Sequence, residues 1–196
     1  MRIQRLLQRA GAAYAVVATG EIHFDPVFRA ACEKNACGFY GACWMCPPDA
    51  GEIGALIERA RTFERALVFQ SVYPVEDSFD IEGMRRAGRA HNHLVCRLRA
   101  AAENGGLPCF ALGAGACGGC ATCARRENVP CRHPQRAVIP LEAAGVDVLQ
   151  LSRLAGLPYL NGKDTVTYFG AVFFNGAPEK LSAKAPATPK KHRSNA

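Results

Sequence analysis

Short unbroken apolar runs alternate along the chain with stretches in which apolar residues recur every three or four positions. The runs YAVVAT (14–19), ALVFQSVY (66–73), CFALGAG (109–115) and TVTYFGAVFF (165–174) each predict a strand. Ile53, Leu56, Ile57, Ala60 and Phe63 fall on one helical face, which predicts a helix over 50–64 with Asp49 as its cap and Glu52 three positions on. A longer helix is expected from Phe79 to Ala102. Its inner stripe runs Ile81, Met84, Gly88, His91, Leu94, Val95, Leu98 and Ala101, and Arg85, Arg86, Arg89 and Arg99 lie mostly off it. Leu141, Ala144, Val148, Leu151 and Ala155 predict a further helix, ended by Gly156 and Pro158, and Pro26 to Lys34 a short one. At the N-terminus, Arg2, Arg5 and Arg9 before AGAAYAVVA loosely copy a secretion signal. The apolar part holds no Leu or Ile, however, and Ile3, Leu6, Leu7 and Ala10 fit a short amphipathic helix leading into a strand.

Strands alternating with helices predict an α/β fold: a single-domain sandwich with a mainly parallel or mixed small sheet, in which strands joined across the two clear helices are parallel neighbours. A chain of 196 residues, 49% hydrophobic, supports one well-buried core and is short for two domains. The expected division is a domain over 1–176 and a tail over 177–196. That tail, APEKLSAKAPATPKKHRSNA, sets five cations against Glu179 and so carries +4 of the net +7. With one Leu and no aromatic it has too little apolar surface to fold and is expected to be disordered. The folded part is only mildly basic, so nucleic acid is not an expected partner. No apolar run approaches the roughly 20 residues of a membrane-spanning helix, and a membrane role is not expected either.

The cysteines change the picture most. Eight of the ten fall into two groups of four, Cys32/Cys37/Cys43/Cys46 and Cys117/Cys120/Cys123/Cys131. Four thiols make one complete coordination shell. With no secretion signal expected, the chain belongs in the reducing cytoplasm, where clustered cysteines are metal ligands more often than disulfides. In the second group, CGGCATCARRENVPCRHP, the triple at i, i+3 and i+6 can wind around one corner of a cubane, and Gly118 and Gly119 permit tight turns and close amide approach to sulfide. Zinc sites more often use two separated knuckles. The spacing favours two 4Fe-4S clusters, with zinc as the alternative and disulfides or free thiols as a third case. In the first group Cys43 and Cys46 precede the helix expected from Asp49, whose amide-rich N-terminus suits an anionic centre, with Pro47 and Pro48 fixing the backbone between. Phe39, Tyr40 and Trp44 can shield such a centre or pack on the sheet. Cys131 or Cys32 can also cross over to the other group's cluster, as fourth cysteines do in two-cluster ferredoxins.

These motifs, C…C..YG…CPP, then CxxCxxC…CRHP, a P.EAAGVDV stretch and TYFGAVFF, resemble the predicted metal-binding proteins grouped as domain of unknown function twenty-two eighty-four, over about residues 12–176. The resemblance carries onto Cys32, Cys37, Tyr40, Gly41, Cys43, Cys46, Pro47 and Pro48. In the second motif it carries onto Cys117, Cys120, Cys123, Cys131, Arg132 and Pro134. Leu141 departs from the small hydroxyl residue expected after Pro140. The resemblance implies metal binding and leaves the reaction open.

Several other features invite blander readings. GAGACG (113–118) satisfies GxGxxG after a strand, but cysteines rather than a helix follow, so no nucleotide site is expected. Cys96 and Cys109 read as inert packed thiols, His91 as a core histidine, and His133 and Arg132 as neighbours of the ligands. No serine triad, HExxH or phosphate loop is present. The leading expectation is an iron–sulfur electron-transfer or redox-accessory protein with a redox partner protein. A zinc-stabilised interaction module and an iron–sulfur enzyme are the alternatives.

Overall fold

The computed structural model describes residues 2–176, and the expected basic tail lies outside the described residues. Five strands form one sheet: β1 (Ala13–Ala18), β2 (Arg65–Pro74), β3 (Cys109–Gly113), β4 (Ile139–Pro140) and β5 (Thr165–Phe174). Their spatial order is β1-β2-β5-β3-β4. The helices are α1 (Arg2–Arg9), α2 (Val27–Glu33), α3 (Ile53–Arg61), α4 (Ile81–Glu103) and α5 (Val148–Leu154).

The period-two alternation of each central strand buries both faces of the sheet. Leu67 and Phe69 of β2, Ala111 of β3 and Val172 and Phe174 of β5 pack with Leu7 of α1 and Leu94, Val95 and Leu98 of α4. Ala66, Val68, Phe110, Leu112, Phe169, Ala171 and Phe173 point the other way, onto Leu56, Ile57 and Ala60 of α3 and Leu151 of α5. Phe69, Phe173 and Phe174 are fully enclosed, each burial contributing roughly 1.5–3 kcal/mol. The result is an α/β/α sandwich on a mixed sheet.

The expectation that strands joined across the two clear helices are parallel neighbours is not met. Across α3, β1 and β2 are neighbours but antiparallel. Across α4, β2 and β3 do run parallel, yet β5 inserts between them and pairs antiparallel with both. Burial is consistent with the insertion: the run from Phe169 to Phe174 of β5 is buried without a break, and the centre of the sheet covers both its faces. Among the described residues the only parallel pairing is β3 with β4, a two-residue strand that sequence periodicity does not reveal. Parallel neighbours need a long connection, and here it is the segment carrying the second cysteine group.

Two helix predictions also change. The stretch expected as one helix from Leu141 to Ala155 is broken: a 3-10 turn over Glu142–Ala144 ends at Gly145, whose φ is +74°, and α5 begins afresh with Asp147 accepting from the Gln150 amide at 2.9 Å. Gly145 is fixed there because a side chain would meet Ile57 and the Asp25 carbonyl at 3.1–3.2 Å. Leu141, the departure noted above, is buried in the core as a packing residue. The second change is that α3 starts at Ile53 with Glu52 at its N-cap and no side-chain cap. Asp49 therefore does not cap it.

On α4, Asp80 caps the N-terminus by accepting from the Gly83 amide at 2.7 Å. Of the predicted inner stripe, Ile81 is exposed, whereas His91, Leu94, Val95 and Leu98 are buried. His91 sits 3.2 Å from Ser71 Oγ and stacks on Phe69. A side chain at Gly170 would lie 2.5 Å from Phe69 and 3.0 Å from His91, so β5 carries glycine where the imidazole needs the room. No helix among the described residues is long and apolar enough to cross a membrane.

Burial lowers the pKa of His91 to about 4. The ring folds neutral, while in the unfolded chain it takes a proton near pH 6.5. Its contribution is complete above that value and is lost as pH falls from about 6.5 to about 4, by up to about 3 kcal/mol. Urea unfolding of the wild type and of His91→Leu across this range is expected to show the wild type losing more stability on acidification. Parallel curves would mean that the imidazole is not buried neutral.

Candidate metal centre

Beyond the C-terminal end of β3 the chain leaves the sheet as a loop, residues 114–138, and returns as β4. It carries the second cysteine group and few large apolar residues, so polar contacts fix it. Asn92, buried on α4, donates from Nδ2 to the carbonyls of Ala114 and Ala116, both at 2.9 Å, and accepts from the Ala114 amide at 3.1 Å. Gly113 is glycine because a side chain there would collide with Asn92 and Val138. At Gly118, with φ +66°, a side chain would fall 2.8 Å from the Arg89 stem on α4. The far end of the loop is tied down by Arg99, which donates to Ala137 O at 2.9 Å and to Gln135 O, and by Cys96 Sγ donating to Arg136 O at 3.1 Å. The GAGACG stretch thus forms the root of this loop, with no helix after it.

The first cysteine group starts on α2, which carries Cys32, and continues with Cys37, Cys43 and Cys46 in the loop between α2 and α3. Its backbone closes on itself through Tyr40 N to Asn35 Oδ1 (3.0 Å), Gly41 N to Pro47 O (2.9 Å) and Cys46 N to Cys43 O (2.9 Å). Arg29 of α2 holds the exit by donating to Gly51 O at 2.6 Å and Pro48 O at 3.3 Å. Because α3 begins seven positions after Cys46, the expected placement of Cys43 and Cys46 at a helix mouth is not met.

The two loops dock on each other. Asp49 of the first forms an ion pair with Arg125 of the second at 2.7 Å. Trp44 donates from Nε1 to Val129 O at 2.9 Å, and the Arg125 guanidinium lies over the indole, 5.0 Å from its centroid. Trp44 therefore packs against the second cysteine loop rather than the sheet. Arg132 pairs with Glu127 at 2.7 Å.

This docking brings the cysteine groups together at one residue. Cys43 is buried, and its thiol pKa is pulled well below the ordinary range, first by Cys46 donating to it and then by the amides of Cys117 and Met45 and the Cys123 thiol, against an opposing effect of burial. Cys46 is pushed up by donating to Cys43 and by its own burial. Cys32 and Cys37 lie near enough to Cys46 to raise it further, and Cys32 is itself raised by burial and then by Glu142. Cys37, Cys43, Cys117, Cys120, Cys123 and Cys131 line one cavity of about 770 Å³, and Cys32 and Cys46 lie outside its lining. Among the described residues, no three Cys, His, Asp or Glu side chains are arranged to hold a single metal ion as they stand. Six of the eight thiols line a shared space.

The donor set is soft sulfur throughout, with one buried thiol already biased toward thiolate, first by the Cys46 thiol and then by amide donors, which suits zinc or an iron–sulfur cluster over a hard cation. Outside the groups, Cys109 is pushed up to about 11 by burial and Cys96 is raised for the same reason, in keeping with inert packed thiols. His133 is exposed and lines the cavity, as do Arg85 and Arg89, which the helical pattern set off the inner face of α4. Sequence reasoning missed Asn92 and the Asp49–Arg125 pair. Asn92 sits beside His91 on the buried side of α4, and a polar residue there is the one signal that could have found it.

Asn92→Leu keeps the bulk and removes the clamp. It is expected to cost about 2–4 kcal/mol and to speed loss of metal to a chelator, checked by urea unfolding and by metal release over time. Unchanged release would mean that the loop holds its shape without α4.

Comparison with curated proteins and with solved structures gives no match. The family described as Predicted metal-binding protein (DUF2284) matches residues 15–174. That span takes in both cysteine groups, the sheet from β1 to β5 and the seam between the loops, and the chain belongs to this family of predicted metal-binding proteins.

Proposed function

We propose that the eight cysteines hold two 4Fe-4S clusters and that the protein passes single electrons to a redox partner protein in the cytoplasm. The observation that carries this reading is Cys43, a buried residue of the first group whose thiol is drawn down by Cys46 of its own group and also by the Cys117 amide and Cys123 of the other, and which lines one cavity with Cys117 and Cys123. Centres seated on the two groups would approach each other at Cys43, which suits electron transfer between them. The spread of thiols around a cavity also favours a cluster, whose corners are separated, over one zinc ion, which draws four sulfurs to about 2.3 Å from a single point. When bound, such clusters supply one-electron chemistry at potentials tuned by hydrogen bonds to sulfur. The chain's own part is to provide those bonds from the Cys117 and Met45 amides and to seat Trp44 between the two loops.

Protein purified without oxygen is expected to be brown, to hold about eight irons and eight acid-labile sulfides per chain, and to bleach with dithionite. Cys43→Ser is expected to lower iron in both groups, leaving fewer than four irons in a chain in which a ligand to one cluster alone would leave about four. A colourless protein with one or two zinc ions and no sulfide would overturn electron transfer in favour of a zinc-braced interaction module.

A further inference from the structure

The same cavity is lined by Arg85 and Arg89 of α4 and by Arg126 and Arg136 of the second cysteine loop, and no aspartate or glutamate among the described residues lines it. Neighbouring arginines are neutralised: Arg86 pairs with Glu82, Arg125 with Asp49 and Arg132 with Glu127. The four cavity arginines have no carboxylate partner among the described residues. Like charges gathered around one space repel, and such an arrangement is stabilised by an anion between them. The guanidinium fork matches the paired oxygens of a carboxylate or phosphate.

Much of the remaining lining is apolar, with Thr122 and His133 among it. Ile81, exposed against the helical pattern, lines the cavity with Met84, Phe39 and Met45. The nearby polar tips are already committed, Tyr168 Oη donating to Met84 O at 2.8 Å and Trp44 Nε1 to Val129 O. Cations and apolar side chains lining one cavity are the features of a seat for a small organic ligand. We propose that this cavity binds a small organic oxyanion, its carboxylate or phosphate held by the arginines and its apolar body against Ile81, Met84 and Phe39, beside the cysteine centre. The seat goes beyond the electron-transfer reading and stands whichever metal the thiols hold.

The rival role for the arginines is to neutralise the metal centre itself, and the test separates the two. Metal-loaded full-length protein is titrated calorimetrically with benzoate and phenyl phosphate, and with acetate and inorganic phosphate as their small counterparts. One aromatic ion is expected to bind with 1:1 stoichiometry, about tenfold tighter than its counterpart, and the arm that binds identifies the oxyanion. Arg126→Gln and Arg85→Gln are each expected to weaken it about tenfold with metal content unchanged. Arg89 is left intact because its stem packs on Gly118. Absence of saturable binding in all arms would overturn the proposal, as would equal affinity for small and aromatic ions. Variants that shift the reduction potential or metal content while anion binding stays constant would also overturn it, and would assign the arginines to the metal centre. Iron and sulfide are assayed on the same samples, so failure of the cluster reading shows separately.

Discussion

One buried carboxamide carries the architecture of the cysteine-rich half. β3 and β4 are parallel neighbours, so the chain must travel out and back between them. In most α/β proteins a helix makes that journey and is held by an apolar stripe. Here the connection has no such stripe, and Asn92 holds its root by satisfying both the donor and the acceptor of Ala114 and the carbonyl of Ala116. A buried polar group is costly when unpaired and directional when paired. Asn92 thereby sets the direction in which the loop leaves the sheet. The Gly113 backbone has no side chain in the way, and the Gly118 turn fits over the Arg89 stem.

The first cysteine loop depends on that placement. Its contacts with the second are an ion pair, an indole hydrogen bond and a guanidinium over an aromatic face, all directional and all requiring the partner loop to be in position. Hydrophobic docking would tolerate sliding; these contacts do not. Cys43 consequently meets Cys123 and the Cys117 amide across a sequence separation that no local motif could bridge. The charge pattern follows the same division: carboxylates near the seam are used by Arg125 and Arg132, and the cavity retains cations only.

Much of the sandwich was legible in the sequence because burial writes itself as periodicity. The four long strands, α4 and the grouping of the cysteines all follow from apolar spacing and cysteine count. What stayed hidden has physical causes. The order of the strands depends on pairings between distant parts of the chain, and β5 takes the centre although it comes last. The break at Gly145 depends on how closely Ile57 and Asp25 approach, which the apolar positions around it do not encode. Asp49 sits where a cap would, three residues before Glu52, yet its carboxylate is drawn to Arg125, seventy-six positions away. The convergence on Cys43 and the arginine-lined wall are tertiary facts, assembled from α4 and two loops.

The chain contains a single tryptophan, and it stands at the seam. Trp44 takes no part in either hydrophobic core; its indole touches the opposite loop through Val129 and Arg125. Its emission is therefore a reporter of one boundary, blind to the sheet and to α1, α3 and α5. The molecule carries its own probe for watching the two cysteine loops part while the sandwich beneath them stays folded.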